Sequence, residues 1–473
     1  KYGCRRVLLG ACLRGRTSGL MIPRCYLGLL DPPIFHHGEI YFGRRVIRFA
    51  EEFESSLMNS KQRVIIAGSG VIGIACAHYL AEAGFEVTVL DQGKAGGACS
   101  RANCGYICPS HIPPLTEPGA IGVALKSIFN RESPFHLKLR PSPALWQWMW
   151  QFARRCTHQQ VLQTGQVLQS ILDASMEEYH LLMKRFSKQC EWQEHGLLYV
   201  YETEEGMNAF AKTDQMLEEN FGVSATRLDN AGLTALEPGL RAGLAGGYHY
   251  RGDTSLNPEK LNQAWVEQLR RQGVEFLENT ELQGVEKEGG KVVRLQVKDG
   301  MLDADYFVFA LGAWSSKWSD SLECSIPIEP GKGYSLTMKR PEDSPFHPML
   351  FPEKKMGVSP FENGFRLGSM MEFVGYDESI PARRLKLLRD SARPFLRSDV
   401  DGPTEDTWYG WRPMTWDSLP IVGQVPQIDN AYLATGHNML GLSLAPSTGR
   451  LIKEMICGDE PHIDPSAYSP LRF

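Results

Sequence analysis

From Arg63 onward the hydrophobic and polar positions fall into a readable order. Residues 64–67 form a short apolar run rich in β-branched side chains, as a strand buried on both faces requires. Residues 74–83 have helical composition, and Glu86–Leu90 predicts a second strand. Trp146, Trp148, Trp150 and Phe152 alternate with other residues, and helical core packing is favoured over an aromatic membrane-docking patch. Residues 160–189 carry Val161, Leu168, Leu172, Tyr179, Leu182, Met183 and Phe186 at helical spacing, predicting one or two amphipathic helices. Asn257-Pro258 opens another helix, a capping residue followed by Pro at the first helical position. Leu261, Trp265 and Leu269 give it one apolar face, and Gly273 ends it. Strands are predicted at 274–277, 282–288, 292–297 and 305–310. Residues 325–366 read as mixed β-sheet and 383–395 as a helix. Residues 421–423 and 431–434 read as strands, and 448–457 as a helix after Pro446.

Of the 473 residues, 42% are hydrophobic and 22% charged, ordinary globular usage that argues against wholesale disorder. The formal charge of -5 offers no basic excess to attract nucleic acid. No apolar run approaches the roughly 18 residues that span a bilayer, so at most peripheral membrane contact is expected. Eleven cysteines without regular spacing fit a reducing compartment. Residues 1–60 differ from the rest, with nine Lys/Arg against five Asp/Glu and no sustained period. They are expected to be a poorly structured extension upstream of Met58, in preference to a targeting segment.

The strongest chemical signal is Gly68-Ser69-Gly70-Val71-Ile72-Gly73, set between the first strand and its helix, with Asp91 closing the second strand. Strand, glycine turn, helix, strand and acid within about thirty residues make up a dinucleotide-binding unit. Gly68 permits the tight turn, Gly70 lets the backbone approach a pyrophosphate, and Gly73 lets the helix pack closely on the sheet. The helix N-terminus offers N–H groups to phosphate. Asp91, followed by Gln92, can accept hydrogen bonds from both ribose hydroxyls, and its charge disfavours a 2′-phosphate. The motif alone does not separate FAD from NAD.

The next segment does. Where an ordinary NAD dehydrogenase would continue with another β-α repeat, residues 93–108 form a long loop rich in glycine and small residues. Such a loop can run beside a flavin, with Ser100, Asn103, Gly105 and the backbone as partners. Cys99, Cys104 and Cys108 lie in it at unequal spacing without a CxxC pair. They read as free thiols, and no metal site is expected.

With these residues in view, the chain resembles the small-subunit class of D-amino-acid dehydrogenases, within the D-amino-acid oxidase and glycine oxidase superfamily of FAD proteins. The resemblance runs from about Arg63 to near the C-terminus. It is carried by residues 67–91, by SRANCGYICPS (100–110) and by PGKGYSLT (330–337). Most specific are WYGWRPMTWDSLPIVG (408–423) and TGHNMLGLSLAPSTG (435–449). It implies an α/β fold, a Rossmann-like FAD-binding domain interleaved with a substrate domain of mixed β-sheet and helices. The FAD domain would use residues 61–110, 250–322 and 405–460. The substrate domain would use 111–249 and 323–404, with 461–473 as a tail. The resemblance further places the backbone near Val285 against adenine, the turn at Gly312 on the cofactor, and Gly436, Met439, Leu440 and Gly441 at the pyrimidine end of the flavin.

Arg412 is the principal catalytic candidate. A guanidinium matches a carboxylate in plane and in bidentate spacing, and in related enzymes the arginine of this motif binds the substrate carboxylate. The alternative is a structural arginine stacked on tryptophans and paired with Asp417. A second arginine of the glycine oxidase pattern is replaced here by Met439, which leaves a more apolar wall. Tyr334, Tyr248 and His249 are secondary candidates for polar contacts, and His437 for shaping the flavin environment.

The expected reaction is dehydrogenation of the Cα–N bond of a D-amino acid by hydride transfer to flavin N5. The product imine hydrolyses to a 2-oxo acid and ammonia, or stays cyclic if the substrate is D-proline or cis-4-hydroxy-D-proline. Resemblance favours a respiratory carrier as electron acceptor, in the cytoplasm or at the inner face of the cytoplasmic membrane. The rivals are an FAD oxidase of glycine or sarcosine releasing hydrogen peroxide, a flavin-bound assembly protein without activity, and an NAD dehydrogenase.

Overall fold

The computed structural model describes residues 61–129 and 133–473, with the strands Ile34–His36 and Glu39–Tyr41. The chain divides into two units, Lys1–Lys61 and Gln62–Phe473. In the first, the two short strands pair antiparallel; the expectation for the remainder of residues 1–60 lies outside the described residues.

The second unit begins with β1 (Arg63–Ala67), α1 (Val71–Glu82) and β2 (Glu86–Leu90). Then come α2 (Ala120–Phe129), α3 (Pro143–Arg155), α4 (His158–Phe186) and α5 (Pro258–Arg271). The strands β3 (Glu275–Leu277), β4 (Tyr306–Phe309), β5 (Ile328–Lys339), β6 (Gly364–Phe373) and β7 (Thr404–Thr415) follow. The chain closes through β8 (Ile421–Gln424), β9 (Ala431–Thr435) and α6 (Gly441–Cys457). The predicted helix start at Asn257 is present, with its side chain accepting from the Lys260 N–H. The 160–189 pattern resolves into the single helix α4, capped by Thr157.

One sheet runs β3-β2-β1-β4-β9-β8, parallel except for the β8–β9 pair. Because β1 sits in its middle, residues 64–67 are almost fully buried, which explains the unbroken apolar run. Helix α1 is buried along nearly its whole length, because it lies against the sheet with α6 and α5 packed on it.

The second sheet is larger and mixed. Strand β5 runs antiparallel to both β7 and β6, and the sheet continues through Met356–Pro360, Met349–Phe351, Leu197–Tyr201, Gly246–Tyr250 and Thr226–Asp229. Strand β7, expected with the cofactor-side segments, belongs here, since it pairs with β5 from Ile328↔Thr415 to Met338↔Thr404. Arg412 therefore stands on the larger sheet.

Two helical expectations change. Helix α6 starts at Gly441 rather than after Pro446, which lies inside it. Proline removes the N–H that would bond the Leu442 carbonyl. The Tyr179 hydroxyl from α4 donates to that carbonyl at 2.6 Å, so the helix continues without an orphaned acceptor. In α3, residues two apart point to different sides. Trp148 is buried and stacks on Phe152, whereas Trp146 and Trp150 are 49% and 56% exposed. Core packing accounts for only the middle indole.

Candidate active site

The turn after β1 is built on backbone contacts. Gly68 has φ +106°, and a Cβ there would stand 2.3 Å from the Ala310 carbonyl oxygen; one on Gly73 would stand 1.8 Å from that of Gly68. Only glycine allows β1, α1 and the β4 turn to meet this closely. Gly70 is the N-cap of α1, and the Val71 N–H donates to Ser100 Oγ at 2.9 Å. Asp91 accepts the Ser69 N–H at 2.7 Å through one oxygen and the Gly93 N–H at 2.8 Å through the other. A carboxylate has about four acceptor sites, so both oxygens keep capacity for ribose hydroxyls. Ser69 Oγ is buried without a partner among the described residues.

This turn borders a cavity of about 1260 Å3 that reaches from Asp91 and Gln92 past Ser100 to Arg412. Ordinary small-molecule sites hold roughly 300–1,000 Å3, so there is space for a dinucleotide and a further small molecule. Gly68, Gly70, Val71, Ile72, Asn103, Gly105 and Gly312 also line it. A Cβ on Gly312 would meet no atom within 4 Å, so this turn leaves room for a ligand. Ser69 and Gly73 are not on the wall; they serve the turn's geometry. Asn103 spends its side chain on its own loop, donating to the Cys99 and Ser100 carbonyls and accepting from the Gly105 N–H. Val285 does not line the cavity. Its strand packs against Leu295, and Glu281, Leu282 and Gln283 form the wall instead.

At the other end stands Arg412. It lines the cavity, and Nη1 donates to the Met370 carbonyl at 2.8 Å. No carboxylate among the described residues pairs with it. Asp417, the partner considered from sequence, is held by Arg472 at 2.8 Å. Burial lowers the Arg412 pKa, yet a guanidinium stays charged at any working pH. Gly333 on β5 makes the space, for a Cβ there would lie 2.4 Å from Nη1. Met370, a residue sequence reasoning missed, has φ +76° where the β5–β6 register shifts. This bulge puts its carbonyl beside Arg412, and no composition signal marks it.

Tyr334 lines the cavity, but its hydroxyl donates to Glu372, which also pairs with Arg384. Burial first, then that carboxylate, raises its pKa. It therefore meets the cavity with its ring rather than as a free polar contact. His437 is on the wall, bonded through Nε2 to Thr448 Oγ1 at 2.9 Å, and burial pulls its pKa down to about 3. Met439, Leu440 and Gly441 line the cavity where α6 begins, whereas Gly436 does not; it lies against Thr415 and Ile421. Tyr248 and His249 are elsewhere. The Tyr248 hydroxyl donates to the Met207 carbonyl, and the His249 ring bonds the His195 carbonyl, so neither reaches the cavity.

Cys99, Cys104 and Cys108 are separate free thiols whose pKa burial raises. Among the described residues no group of three or more His, Cys, Asp or Glu is placed to hold a metal. The donor set suits FAD. The glycine turn with the α1 N-terminus can take a pyrophosphate and Asp91 a ribose. The open Gly312 turn and the α6 N-terminus can face an electron-accepting ring.

The family model described as FAD dependent oxidoreductase matches residues 63–455. A D-amino acid dehydrogenase of Granulibacter bethesdensis is 31% identical over 417 residues, 87% of this chain and 99% of its own. Another, of Agrobacterium fabrum, is 30% identical over 407 residues, 85% of this chain and 97% of its own. The crystal structure of glycine oxidase from Geobacillus kaustophilus shares the fold, with a TM-score of 0.69 at 20% identity, covering 87% of this chain and 100% of that one.

Proposed function

The chain belongs to the family of FAD dependent oxidoreductases, and from that premise we propose that it dehydrogenates the Cα–N bond of a D-amino acid held by Arg412. The observation that carries this reading is a half-buried arginine on the cavity wall without a carboxylate partner among the described residues. A half-buried charge in that position favours an anionic ligand, and a substrate carboxylate matches its two parallel donors. The relatives named D-amino acid dehydrogenase support the stereochemical class.

Bound FAD supplies the two-electron acceptor for the substrate's Cα–H hydride. The turn 68–73, Asp91, Gly312 and the start of α6 would hold it. The chain's own task is placement. Arg412 fixes one end of the substrate, an orientation effect on the scale of several kcal/mol. The Met370 carbonyl holds the guanidinium in turn. Met371 Sδ lies 4.0 Å from Nη1, so the wall beside the carboxylate site is apolar. That wall suits neutral side chains, D-proline and cis-4-hydroxy-D-proline included. The only carboxylates lining the cavity among the described residues are Asp91, Glu117 and Glu281. Asp91 and Glu281 border the dinucleotide end, since the Thr280 N–H bonds the Asp91 carbonyl. His437, neutral above about pH 3, is a fixed hydrogen-bonding group rather than a titrating base.

The interleaved division into cofactor and substrate segments is kept, with β7 counted on the substrate side. Electrons pass to a respiratory carrier, and the protein works in the cytoplasm or peripherally at the inner face of the cytoplasmic membrane. No helix among the described residues is long and apolar enough to cross a membrane.

The test is anaerobic bleaching of the bound flavin's absorbance. D-alanine, D-proline and cis-4-hydroxy-D-proline are compared with their L-enantiomers. Bleaching by at least one D member and by no L member is the expected result. Silence across the panel would end the proposal, and stoichiometric peroxide in air would redirect it to an oxidase.

A further inference from the structure

Among the described residues, twelve large apolar side chains are exposed, and six of them come from one short stretch: Ile121, Val123, Leu125, Leu139, Trp146 and Trp150. The same stretch is the reverse of the whole chain in charge. The chain carries 50 Lys+Arg against 55 Asp+Glu. Yet residues 120–155 hold Lys126, Arg131, Lys138, Arg140, Arg154 and Arg155 against the single acid Glu132. Arg140 is tied to Glu329, and Arg155 to Gln151. Lys126, Lys138 and Arg154 are exposed and have no carboxylate partner among the described residues. The Arg154 guanidinium lies 4.5 Å over the Trp150 ring.

The elements that carry these side chains are neighbours along the chain, and both helices border the cavity. Helix α2 packs on Phe135–Leu137, from which the chain passes through Leu139 into α3. Ile121, Val123 and Leu125 from α2 line the cavity, as do Leu145, Trp148 and Met149 from α3. Trp146 and Trp150, four apart, lie on the outer side of α3, away from buried Trp148.

We propose that this face, made by α2, Leu139 and the outer side of α3, docks on the surface of an anionic lipid bilayer. The chemistry selects that occupant. Indoles settle at the headgroup level, where one edge is apolar and the other wet. Cations interleaved with exposed aliphatic side chains are attracted by anionic headgroups while the aliphatic groups enter the acyl boundary. A protein partner or a second copy would be matched better by an apolar centre with a polar rim than by cations interleaved with exposed aliphatic side chains and indoles. The inference gives a surface to the peripheral contact proposed above and does not depend on which amino acid is oxidised. It also sets the mouth of the cavity against the lipid.

The experiment is co-sedimentation of the full-length, FAD-loaded protein with vesicles. Phosphatidylcholine alone is compared with phosphatidylcholine containing about a third phosphatidylglycerol. Wild type is expected to pellet with the anionic vesicles and much less with the neutral ones. Trp146→Ser with Trp150→Ser should lower partitioning by roughly tenfold or more. Lys126→Glu with Lys138→Glu should lower it by on the order of tenfold and flatten its salt dependence. None of these four residues lines the cavity, so flavin content and reduction of a soluble dye by substrate should match wild type. Wild type remaining in the supernatant with anionic vesicles, or both pairs of variants binding like wild type, would overturn the proposal. So would a wild-type dimer in sedimentation velocity that both pairs convert to monomer, which would assign the face to a second copy. Loss of binding in the variants alongside a flavin that no amino acid bleaches would leave the docking surface standing and remove the proposed reaction.

Discussion

The turn after β1 and the strand β7 are the two ends of one cavity, and they are built in opposite ways. The turn works by backbone: glycines bring carbonyls within contact distance, and a carboxylate ties two N–H groups. The β7 end works by a single long side chain, with Gly333 making its space and a bulged carbonyl at Met370 holding it. The first design takes its turn, helix start and acid from about thirty contiguous residues, closed by the Ala310 carbonyl from the β4 turn; the second joins β5, β6 and β7, with Gly333 and Arg412 79 positions apart in the chain. A generic cofactor can be met by generic backbone, whereas substrate choice needs a charge at one place.

The comparison predicts different kinds of failure. Gly73→Ala should do the most damage, because its Cβ would collide with the Gly68 carbonyl. We expect a loss of at least about 3 kcal/mol in folding stability and little bound flavin, read by denaturant unfolding and by FAD per chain. Arg412→Leu should instead leave a yellow, folded protein. Removing one partner of a buried charge pair costs about 2–5 kcal/mol, so kcat/KM on the best D-amino acid should fall by about 30-fold to several thousand-fold. Unchanged kinetics would show that β7 does not hold the substrate.

His437, beside the α6 start, sharpens the contrast through pH. Its folded pKa of about 3 lies below the ordinary value near 6.5, so the unfolded chain takes up the proton first. Its contribution to stability is complete above about pH 6.5 and is lost as pH falls towards 3. Between pH 7 and pH 5 this ring should cost about 2 kcal/mol, and His437→Gln should show a smaller acid loss of urea midpoint than wild type. Gly333→Ala should have the smallest effect. Its Cβ would push the guanidinium aside, raising KM by roughly tenfold with kcat and flavin content nearly unchanged. A fall in kcat without a change in KM would mean that Gly333 does not act through binding.

The cofactor end was legible because its chemistry is local. Gly68, Gly70, Gly73 and Asp91 keep their spacing in the chain and their places in the fold. Arg412 was legible as a residue but not as a contact. Its expected structural partner, Asp417, is taken by Arg472, whose role no spacing announced. Tyr334 was singled out for a hydroxyl that Glu372 already occupies, and Glu372 lies 38 positions away on the neighbouring strand. The start of α6 was misplaced because local rules stop a helix at Pro446. The hydroxyl that replaces the missing donor comes from Tyr179, 263 positions distant in sequence. The tryptophans of α3 alternate in sequence as a strand face would, and only helical geometry separates buried Trp148 from exposed Trp146 and Trp150.

By itself the sequence determined the strand, glycine turn, helix and acid that prepare a dinucleotide site, because backbone sterics and hydrogen bonding act over a few neighbouring residues. Tertiary structure decided which sheet carries Arg412, which carboxylates are already spent and which indoles face outward. Those outcomes depend on what lies across a contact, and a contact between distant segments has no signature in either segment alone.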